Sequence, residues 1–209
     1  AVKRLLQGGH TVIAFDNFSR GYREPLEILS KYGKLTVIEG DLCAPKDIAI
    51  VFNQRTIDAV MHFAALCDIN ESVEDPKLYI NNNVVGTKNL LEAMAKHGVG
   101  VLIFSSTCAV YGEAESVPMD ETHPTHPANP YGESKLMAEK VITSFGETSD
   151  IRYVIFRYFN VCGADADGEI GDSKKPSQLL VQNAGRGALG IELFELTCPR
   201  VDTVDWTPI

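Results

Sequence analysis

The sequence predicts an α/β fold built on a doubly wound parallel sheet. Two features of the 209 residues indicate this fold: short apolar segments rich in β-branched and aromatic residues, and longer segments of helical periodicity that alternate with them. Short, largely apolar segments are typical of parallel strands that are buried on both faces of a sheet. Because crossovers between parallel strands are right-handed, helices on both faces of the sheet are expected.

Strands are predicted for residues 11–15, 35–39, 59–64, 101–106 and 153–159. Helical spacing predicts helices over residues 46–54, 79–98 and 131–147. Pro130 stands where a chain commonly enters a helix, and Gly98 and Gly146 stand where helices commonly end. The alternation of these elements predicts a Rossmann-type sheet wrapped by helices.

The composition is that of an ordinary globular protein, with 44% hydrophobic and 22% charged residues. A formal net charge of -9 argues against nucleic acid or an anionic membrane as the main partner, because both would repel an acidic surface. No segment approaches the ~20 apolar residues that cross a bilayer. We therefore expect a cytoplasmic protein with no nucleic-acid or membrane partner.

The cysteines and histidines do not predict a metal site. The cysteines are odd in number and scattered, without a CxxC pair: Cys43, Cys67, Cys108, Cys162 and Cys198. We expect them to be reduced thiols. His123 and His126 lie in THPTHPANP, whose prolines predict an extended surface loop, and no further ligand pair is near in the sequence. No bound metal is expected.

Polar residues follow several predicted strands, where ligands bind in open parallel sheets. Asp16 and Asn17 follow the first predicted strand, and Asp41 follows the second. An acidic residue after a strand can accept hydrogen bonds from an adenosine ribose, and its charge disfavours a 2′-phosphate, which favours NAD over NADP. Asp16 and Asn17 alone are more typical of a turn, and the combination with Asp41 favours the cofactor interpretation.

The segment PYGESKLMAEK, residues 130–140, places Tyr131 and Lys135 four positions apart on one helix face. Any amphipathic helix can place a tyrosine and a lysine in this way, so the spacing alone assigns no chemical role. Six further motifs accompany the NPYGESK motif. The seven are DN at 16–17, GDL at 40–42, MHFAA at 61–65, NNNVVGT at 81–87, FSSTCAVYG at 104–112, NPYGESK at 129–135 and FRYFNVCG at 156–163.

In this order the motifs resemble the extended short-chain dehydrogenase/reductases, and within them the UDP-glucose 4-epimerases and neighbouring UDP-sugar 4-epimerases. The resemblance covers residues 1 to about 190. It implies NAD-dependent epimerisation of a UDP-sugar at C4 through a 4-keto intermediate, with interconversion of UDP-glucose and UDP-galactose as the first expectation. It also implies a homodimer of the intact protein, formed through helices in 75–97 and 131–145.

The resemblance implies three catalytic residues. Tyr131 would remove the proton of a sugar hydroxyl, Thr107 would hydrogen-bond that hydroxyl, and Lys135 would bind the nicotinamide ribose. Because tyrosine ionises near pH 10, we expect the nearby cation of Lys135 to favour the phenolate. Implied cofactor contacts are Asp16, Asn17, Asp41, Leu42, Phe63, Ala64, Ala65, Asn83, Ser105, Lys135 and Tyr158. Implied substrate contacts are Thr107, Tyr131, Asn160 and Leu179.

Two alternatives remain open. The same scaffold serves nucleotide-sugar 4,6-dehydratases, which typically place an acidic pair directly after the aligned threonine. Here Cys108 and Ala109 follow Thr107, and they are poor proton donors and acceptors at neutral pH. The second alternative is a non-catalytic, truncated scaffold.

The truncation hypothesis comes from the ends of the sequence. The chain opens at AVKRLLQGGH, which aligns after the first strand and glycine-rich turn of the family, and no GxxGxxG occurs. The missing strand would leave an unpaired edge on each of two inner strands. We expect an NAD-binding Rossmann domain over 1–160, lacking its first strand and glycine turn, and the start of a small substrate-binding region over 161–209.

Overall fold

The computed structural model describes residues 1–54, 56–171 and 179–194. The chain divides into two compact units, Ala1–Phe159 and Asn160–Ile209. The strands of the first unit are β1 (Val12–Asp16), β2 (Leu35–Glu39), β3 (Val60–His62), β4 (Val101–Thr107) and β5 (Arg152–Tyr158). Every strand pair is parallel, which confirms the predicted α/β fold. The division between the units falls beside the expected boundary at residue 160.

The described helices are α1 (Val2–Gln7), α2 (Glu24–Leu29), α3 (Pro45–Gln54), α4 (Ile69–Glu74), α5 (Pro76–Tyr79), α6 (Gly86–Lys96), α7 (Pro130–Thr148) and α8 (Leu180–Ala188). The last of these lies in the second unit. The sequence patterns predicted α3, α6 and α7, and missed α1, α2, α4, α8 and all of α5 except Tyr79. None of the helices in the described ranges is long and apolar enough to cross a membrane.

The strands form two sheets, β1–β2 and β3–β4–β5. Within the described residues, β1 and β3 are each paired on one edge only, as the sequence led us to expect. One hydrophobic cluster nevertheless serves both sheets, because Ile13 and Phe15 of β1 pack against the cluster that contains Leu102 and Phe104 of β4. Helices α3, α6 and α7 supply most of the remaining members: Ile48, Val51, Phe52, Leu90, Leu91, Met94, Ala138 and Ile142.

The helix predicted over 79–98 is interrupted. Ile80–Val85 is a π-helical segment that joins α5 to α6. Such wide turns are frequent at functional sites, and here the segment contains the buried Asn83. The Asn83 amide bonds to the backbone of Leu66, a contact distant in sequence that helical periodicity does not reveal.

The two glycines expected at helix ends behave differently. Gly98 has a φ of 69° two residues after α6 ends at Lys96, so this prediction is confirmed. Gly146 lies inside α7, which continues to Thr148, so this prediction is wrong. A Cβ atom at Gly146 would lie 2.4 Å from Cε1 of Tyr153 on β5. The glycine therefore allows close packing of the helix on the sheet.

Candidate active site

The predicted catalytic pair Thr107 and Tyr131 is brought into contact at the carboxyl end of β4. Thr107 is the last residue of β4. The Asn129 side chain caps α7 by accepting a 2.8 Å hydrogen bond from the Gly132 amide, and Pro130 occupies the first helical position. This cap places Tyr131 in the first turn, close enough to the Thr107 side chain for that side chain to lower the pKa of the phenol.

Gly132 makes this close approach possible. A Cβ atom there would lie 2.4 Å from the carbonyl oxygen of Ala109, which belongs to the short turn that follows β4. Any side chain at Gly132 would push the first turn of α7 away from the end of β4. The distance between Tyr131 and Thr107 therefore depends on a glycine at this position.

Lys135, the third predicted catalytic residue, is buried, with 3% of its surface exposed. Its Nζ atom lies 4.3 Å from the centroid of the Phe104 ring, a cation–π contact. Burial lowers the pKa of Lys135 to about 8, while the charges of Cys67 and Glu139 act in the opposite direction. In the described part of the chain, the ammonium has no hydrogen-bond acceptor, so its donors are available to a ligand.

The expected lowering of the tyrosine pKa is not seen. Burial raises the pKa of Tyr131 above its ordinary value, the hydrogen bond with Thr107 opposes this rise, and the nearby Cys67 and Cys108 add to it. The reason is that desolvation of the phenolate is the largest effect, and the Lys135 ammonium lies over Phe104.

Asn83, predicted to contact the cofactor, lies in a buried hydrogen-bond network. Its Oδ1 accepts from the Leu66 amide at 2.9 Å and from Asn82 Nδ2 at 2.9 Å. Its Nδ2 donates to the Leu66 carbonyl at 3.0 Å and to Ser134 Oγ at 2.9 Å. Asn83 thus ties the segment after β3 to α7, and its amide is occupied by protein partners.

His62, at the end of β3, extends this buried network. Its Nε2 lies 2.8 Å from Thr87 Oγ1, and its ring lies 5.3 Å from that of Phe104. Burial lowers the pKa of His62 to about 3, and the charge of Lys135 contributes. His62 is therefore neutral near pH 7 and adds no second positive charge beside Lys135.

The residues predicted to bind the adenosine end of a cofactor meet after β1 and β2. Asn17 Nδ2 donates to Asp41 Oδ2 at 3.0 Å. The exposed Asp16 accepts a 2.7 Å hydrogen bond from the amide of Phe18, whose φ of 53° marks a tight turn. The amide of Cys43, together with Asn17, lowers the pKa of Asp41, with burial acting in the opposite direction.

The remaining predicted cofactor residues follow the other strands. Phe63, Ala64 and Ala65 come directly after β3. Tyr158 ends β5 and is the register partner of Thr107, while Leu42 follows β2 and its carbonyl accepts a hydrogen bond from Asn89. Ser105 lies within β4.

An ion pair links Arg20, after β1, to Glu71 of α4, after β3. The predicted substrate residues Asn160 and Leu179 belong to the second unit, where Leu179 precedes α8.

This arrangement was compared with known proteins. Residues 1–202 match the family model described as NAD dependent epimerase/dehydratase family. The chain belongs to this family. The UDP-arabinose 4-epimerase 1 of Arabidopsis thaliana is 43% identical over 180 residues, which is 84% of this chain and 43% of the relative. The UDP-glucose 4-epimerase of Rhizobium meliloti (strain 1021) is 38% identical over 205 residues, which is 98% of this chain and 61% of the relative.

Solved structures of the family agree with this assignment. A crystal structure of a UDP-glucose 4-epimerase has a TM-score of 0.90 and 39% identity, and covers 99% of this chain and 61% of that chain. The UDP-glucose 4-epimerase from Bifidobacterium longum in complex with NAD+ and UDP has a TM-score of 0.86 and 34% identity, and covers 92% of this chain and 59% of that chain. The predicted Rossmann-type fold and family are thereby confirmed. The chain spans less than two thirds of the length of these relatives.

Sequence reasoning missed several residues that lie around the three predicted catalytic residues, Thr107, Tyr131 and Lys135. Tyr79 is fully buried and packs edge-on against Tyr131, with ring centroids 6.4 Å apart. Glu139 follows Lys135 by one turn of α7 and pairs with Arg157 of β5. The spacing Tyr131, Lys135, Glu139, with four residues at each step, was the available signal, since it places all three on one helix face.

The histidine and cysteine predictions can be compared with the structure at several positions. His123 is buried. Its Nε2 accepts a hydrogen bond from the Glu115 amide, and its Nδ1 lies 2.9 Å from the Pro124 carbonyl oxygen. These contacts indicate a structural role for His123. Cys43, Cys67, Cys108 and Cys162 are free thiols, and Cys198 lies outside the described residues. Among residues 1–54, 56–171 and 179–194, no group of three or more metal-ligating side chains occurs.

Proposed function

We propose that the whole protein is an isomerase that epimerises a UDP-sugar at C4 with NAD as cofactor. The observation that carries this proposal is the proximity of Thr107 and Tyr131 at the end of β4, with the buried Lys135 one helical turn away. Relatives named UDP-glucose 4-epimerase and UDP-arabinose 4-epimerase support it.

The residues present fit NAD. Exposed Asp16 offers a carboxylate at the end of β1, and Lys135 offers free donors beside Tyr131, which suits the hydroxyls of two ribose rings. When bound, NAD supplies hydride acceptance and return. The residues proposed to hold it are Asp16, Asn17, Asp41, Leu42, Phe63, Ala64, Ala65, Ser105, Lys135 and Tyr158, with Asn83 positioning residues 63–66 through its bonds to Leu66.

Tyr131 is the proposed proton acceptor for the sugar hydroxyl. Burial raises the pKa of its phenol, so in the chain by itself the hydroxyl is protonated at neutral pH. To act as a base, Tyr131 first releases this proton to solvent, and Lys135, on the same helix face, is the cation that stabilises the resulting phenolate until it accepts the proton of the sugar hydroxyl. Thr107 is proposed to hydrogen-bond the sugar hydroxyl and so to keep it next to the hydroxyl of Tyr131. After the 4-keto sugar turns over, return of the proton from Tyr131 to the C4 oxygen, together with return of the hydride to the opposite face of C4, would complete the epimerisation.

The sugar of the substrate is proposed at two levels. Interconversion of UDP-glucose and UDP-galactose, a step of galactose metabolism, is the first candidate, because relatives covering most of this chain have the name UDP-glucose 4-epimerase. A UDP-pentose is the second candidate, because the relatives that are 43% identical are named UDP-arabinose 4-epimerases. Asn160 and Leu179 of the second unit are the proposed contacts to the UDP-sugar.

The dehydratase alternative is disfavoured by the residues after Thr107. Cys108 and Ala109 form a short helical turn there, and burial raises the pKa of the Cys108 thiol. A protonated thiol beside an alanine does not supply the acid and base that removal of water requires. The scaffold alternative predicts no turnover by the whole protein.

The remaining features of the proposal concern organisation. Residues 1–160 are the proposed NAD-binding domain, and 161–209 begin the substrate-binding region. The partially exposed apolar side chains of Leu78, Ile80 and Val85 support a homodimer formed through the helices of 75–97 and 131–145. The free thiols of the described cysteines support a reducing, cytoplasmic location.

The test is Tyr131→Phe in the whole protein. We expect kcat to fall by about 10²–10⁴-fold with UDP-glucose or UDP-arabinose, because the ring remains and only the acid-base hydroxyl is lost. Tyr22→Phe, at a tyrosine that is 47% exposed, is the matched control and should leave kcat unchanged. Product formation is followed by separation of the epimeric UDP-sugars. Unchanged turnover in Tyr131→Phe would show that the mechanism is wrong.

A further inference from the structure

Glu139 is a buried carboxylate that the proposed chemistry does not use. It lies one turn after Lys135 on α7, and the two residues are 5% and 3% exposed. Its oxygens are held from two strands. Ser106 of β4 donates its hydroxyl to Oε1, and Arg157 of β5 donates from Nε at 3.1 Å to Oε1 and from Nη2 at 2.7 Å to Oε2. A buried, bidentate ion pair of this kind fixes the position of its carboxylate.

The helix and strand place Glu139 in line with Lys135. Phe104 and Ser106 alternate with outer residues of β4, so both side chains lie on the same, buried face of the sheet. Lys135 lies over Phe104, and Glu139 is bonded to Ser106. Phe104 and Ser106, two residues apart on β4, thus contact Lys135 and Glu139, which are one turn apart on α7. The carboxylate therefore belongs to the same helix face as the ammonium, one turn further on, and both side chains are buried.

The other groups that face Lys135 come from every element around it. Tyr131 lies on the same helix, and Cys67 and the neutral His62 come from β3 and the segment after it. Arg157 lies on the far side of Glu139 and packs over the Tyr111 ring at 4.9 Å. Burial lowers the pKa of Lys135, and two groups in the described residues raise it, Cys67 and Glu139. Of these two, Glu139 is the carboxylate.

We propose that Glu139 is a positioning residue that keeps Lys135 protonated and over Phe104, and that Arg157 and Ser106 hold Glu139 in this role. The inference rests on the proposed function only in taking Lys135 as a catalytic residue. Arg157 has two effects, since it fixes the carboxylate and also weakens its field at Lys135. The charges at 139 and 157 therefore act on Lys135 with opposite signs.

The experiment measures protonation of Lys135 in the whole protein without substrate. The rate of acetylation of Lys135 by acetic anhydride is followed against pH by mass spectrometry of its peptide. We expect Glu139→Gln to lower the pKa of Lys135 by about one pH unit, and Arg157→Gln to raise it. Glu147→Gln, at an exposed position of the same helix, should leave it unchanged.

Opposite directions are the decisive result. A purely structural role for the pair would let water reach Lys135 in both variants, and its pKa would then rise in both. Two shifts in the same direction, or no change in either folded variant, would overturn the proposal. If Glu139→Gln does not fold, the double variant Glu139→Gln/Arg157→Gln leaves no unpaired buried charge. It should still lower the pKa, because the charge of Glu139 raises the pKa of Lys135 and no such effect of Arg157 is resolved, and a rise or no change would overturn the proposal.

The pH profile of kcat supplies a second readout. Its alkaline limb should move to lower pH in Glu139→Gln and to higher pH in Arg157→Gln, in step with the acetylation result. Since acetylation requires no substrate, an inactive wild-type protein would refute the proposed function and leave the result on Lys135 in place.

Discussion

Lys135 carries a charge although only 3% of its surface is exposed to solvent, so its proposed catalytic role comes at a cost to the stability of the fold. Burial lowers its pKa from 10.5 to about 8. Between these values the unfolded chain binds more protons than the folded chain, so this group makes the free energy of unfolding increase with pH. Below pH 8 both states are protonated, and the destabilisation is fully present.

Replacement of this lysine by an apolar residue should therefore stabilise the fold. We expect Lys135→Met to raise the free energy of unfolding at pH 7 by about 1–3 kcal/mol in the NAD-free protein, and to abolish turnover. Urea denaturation at pH 7 and pH 10 measures the effect, which should be smaller at pH 10. Lys140→Met, at an exposed position of the same helix, is the control. A lower stability of Lys135→Met at pH 7 would contradict this reasoning.

Sequence reasoning at the residue scale identified candidates that belong to recognisable motifs, and missed residues defined by contacts. Tyr131 and Lys135 became candidates because NPYGESK, in order with six other motifs, resembles a known family, whereas their spacing alone assigned no role. Arg157 was missed because its pairing with Glu139 joins a helix to a strand 18 residues away. The direction of the Tyr131 pKa was also missed, because burial has no signature in a short motif.

Among the elements, α7 depends on a close contact with the turn after β4. Gly132→Ala should destabilise the fold by about 1–3 kcal/mol and lower kcat, because the new Cβ atom would lie 2.4 Å from the Ala109 carbonyl oxygen and move Tyr131 away from Thr107. Thermal unfolding and steady-state kinetics measure the two effects. Gly185→Ala in α8, where no atom lies within 4 Å of the added carbon, should be neutral or stabilising. Equal behaviour of the two variants would contradict the contact argument.

Element boundaries show where sequence patterns are informative. The strands were predicted to within a few residues because their segments are short and largely apolar. The expected burial on both faces is wrong for β5, in which alternate residues are exposed. Gly98 ends its helix with a positive φ, which a sequence can indicate, whereas Gly146 is needed for contact with Tyr153, which it cannot. The π-helical segment Ile80–Val85 depends on bonds from Asn83 to Leu66 and Ser134, so local periodicity did not predict it.

For the whole molecule, the parallel arrangement gathers the proposed cofactor residues at the carboxyl ends of the strands. The Asn17–Asp41 bond joins the segments after β1 and β2, and the Arg20–Glu71 ion pair joins them to α4. The turns that precede β4 and β5, around residues 97–100 and 149–151, lie at the opposite ends of those strands. The carboxyl ends of the strands are therefore the region to test for cofactor binding, and the turns at the opposite ends are an internal control in the same protein.

Hydrogen exchange of the whole protein with and without added NAD uses this arrangement. We expect NAD to slow exchange in residues 16–19, 41–43 and 63–66, by up to about 100-fold at a concentration 100 times Kd where exchange requires release of the cofactor. Residues 97–100 and 149–151 should change much less, since they lie at the other ends of the strands. Mass spectrometry of peptides covering these segments measures both regions in one sample. Equal slowing at both ends would indicate general stabilisation, and slowing confined to 97–100 and 149–151 would refute the proposed cofactor site.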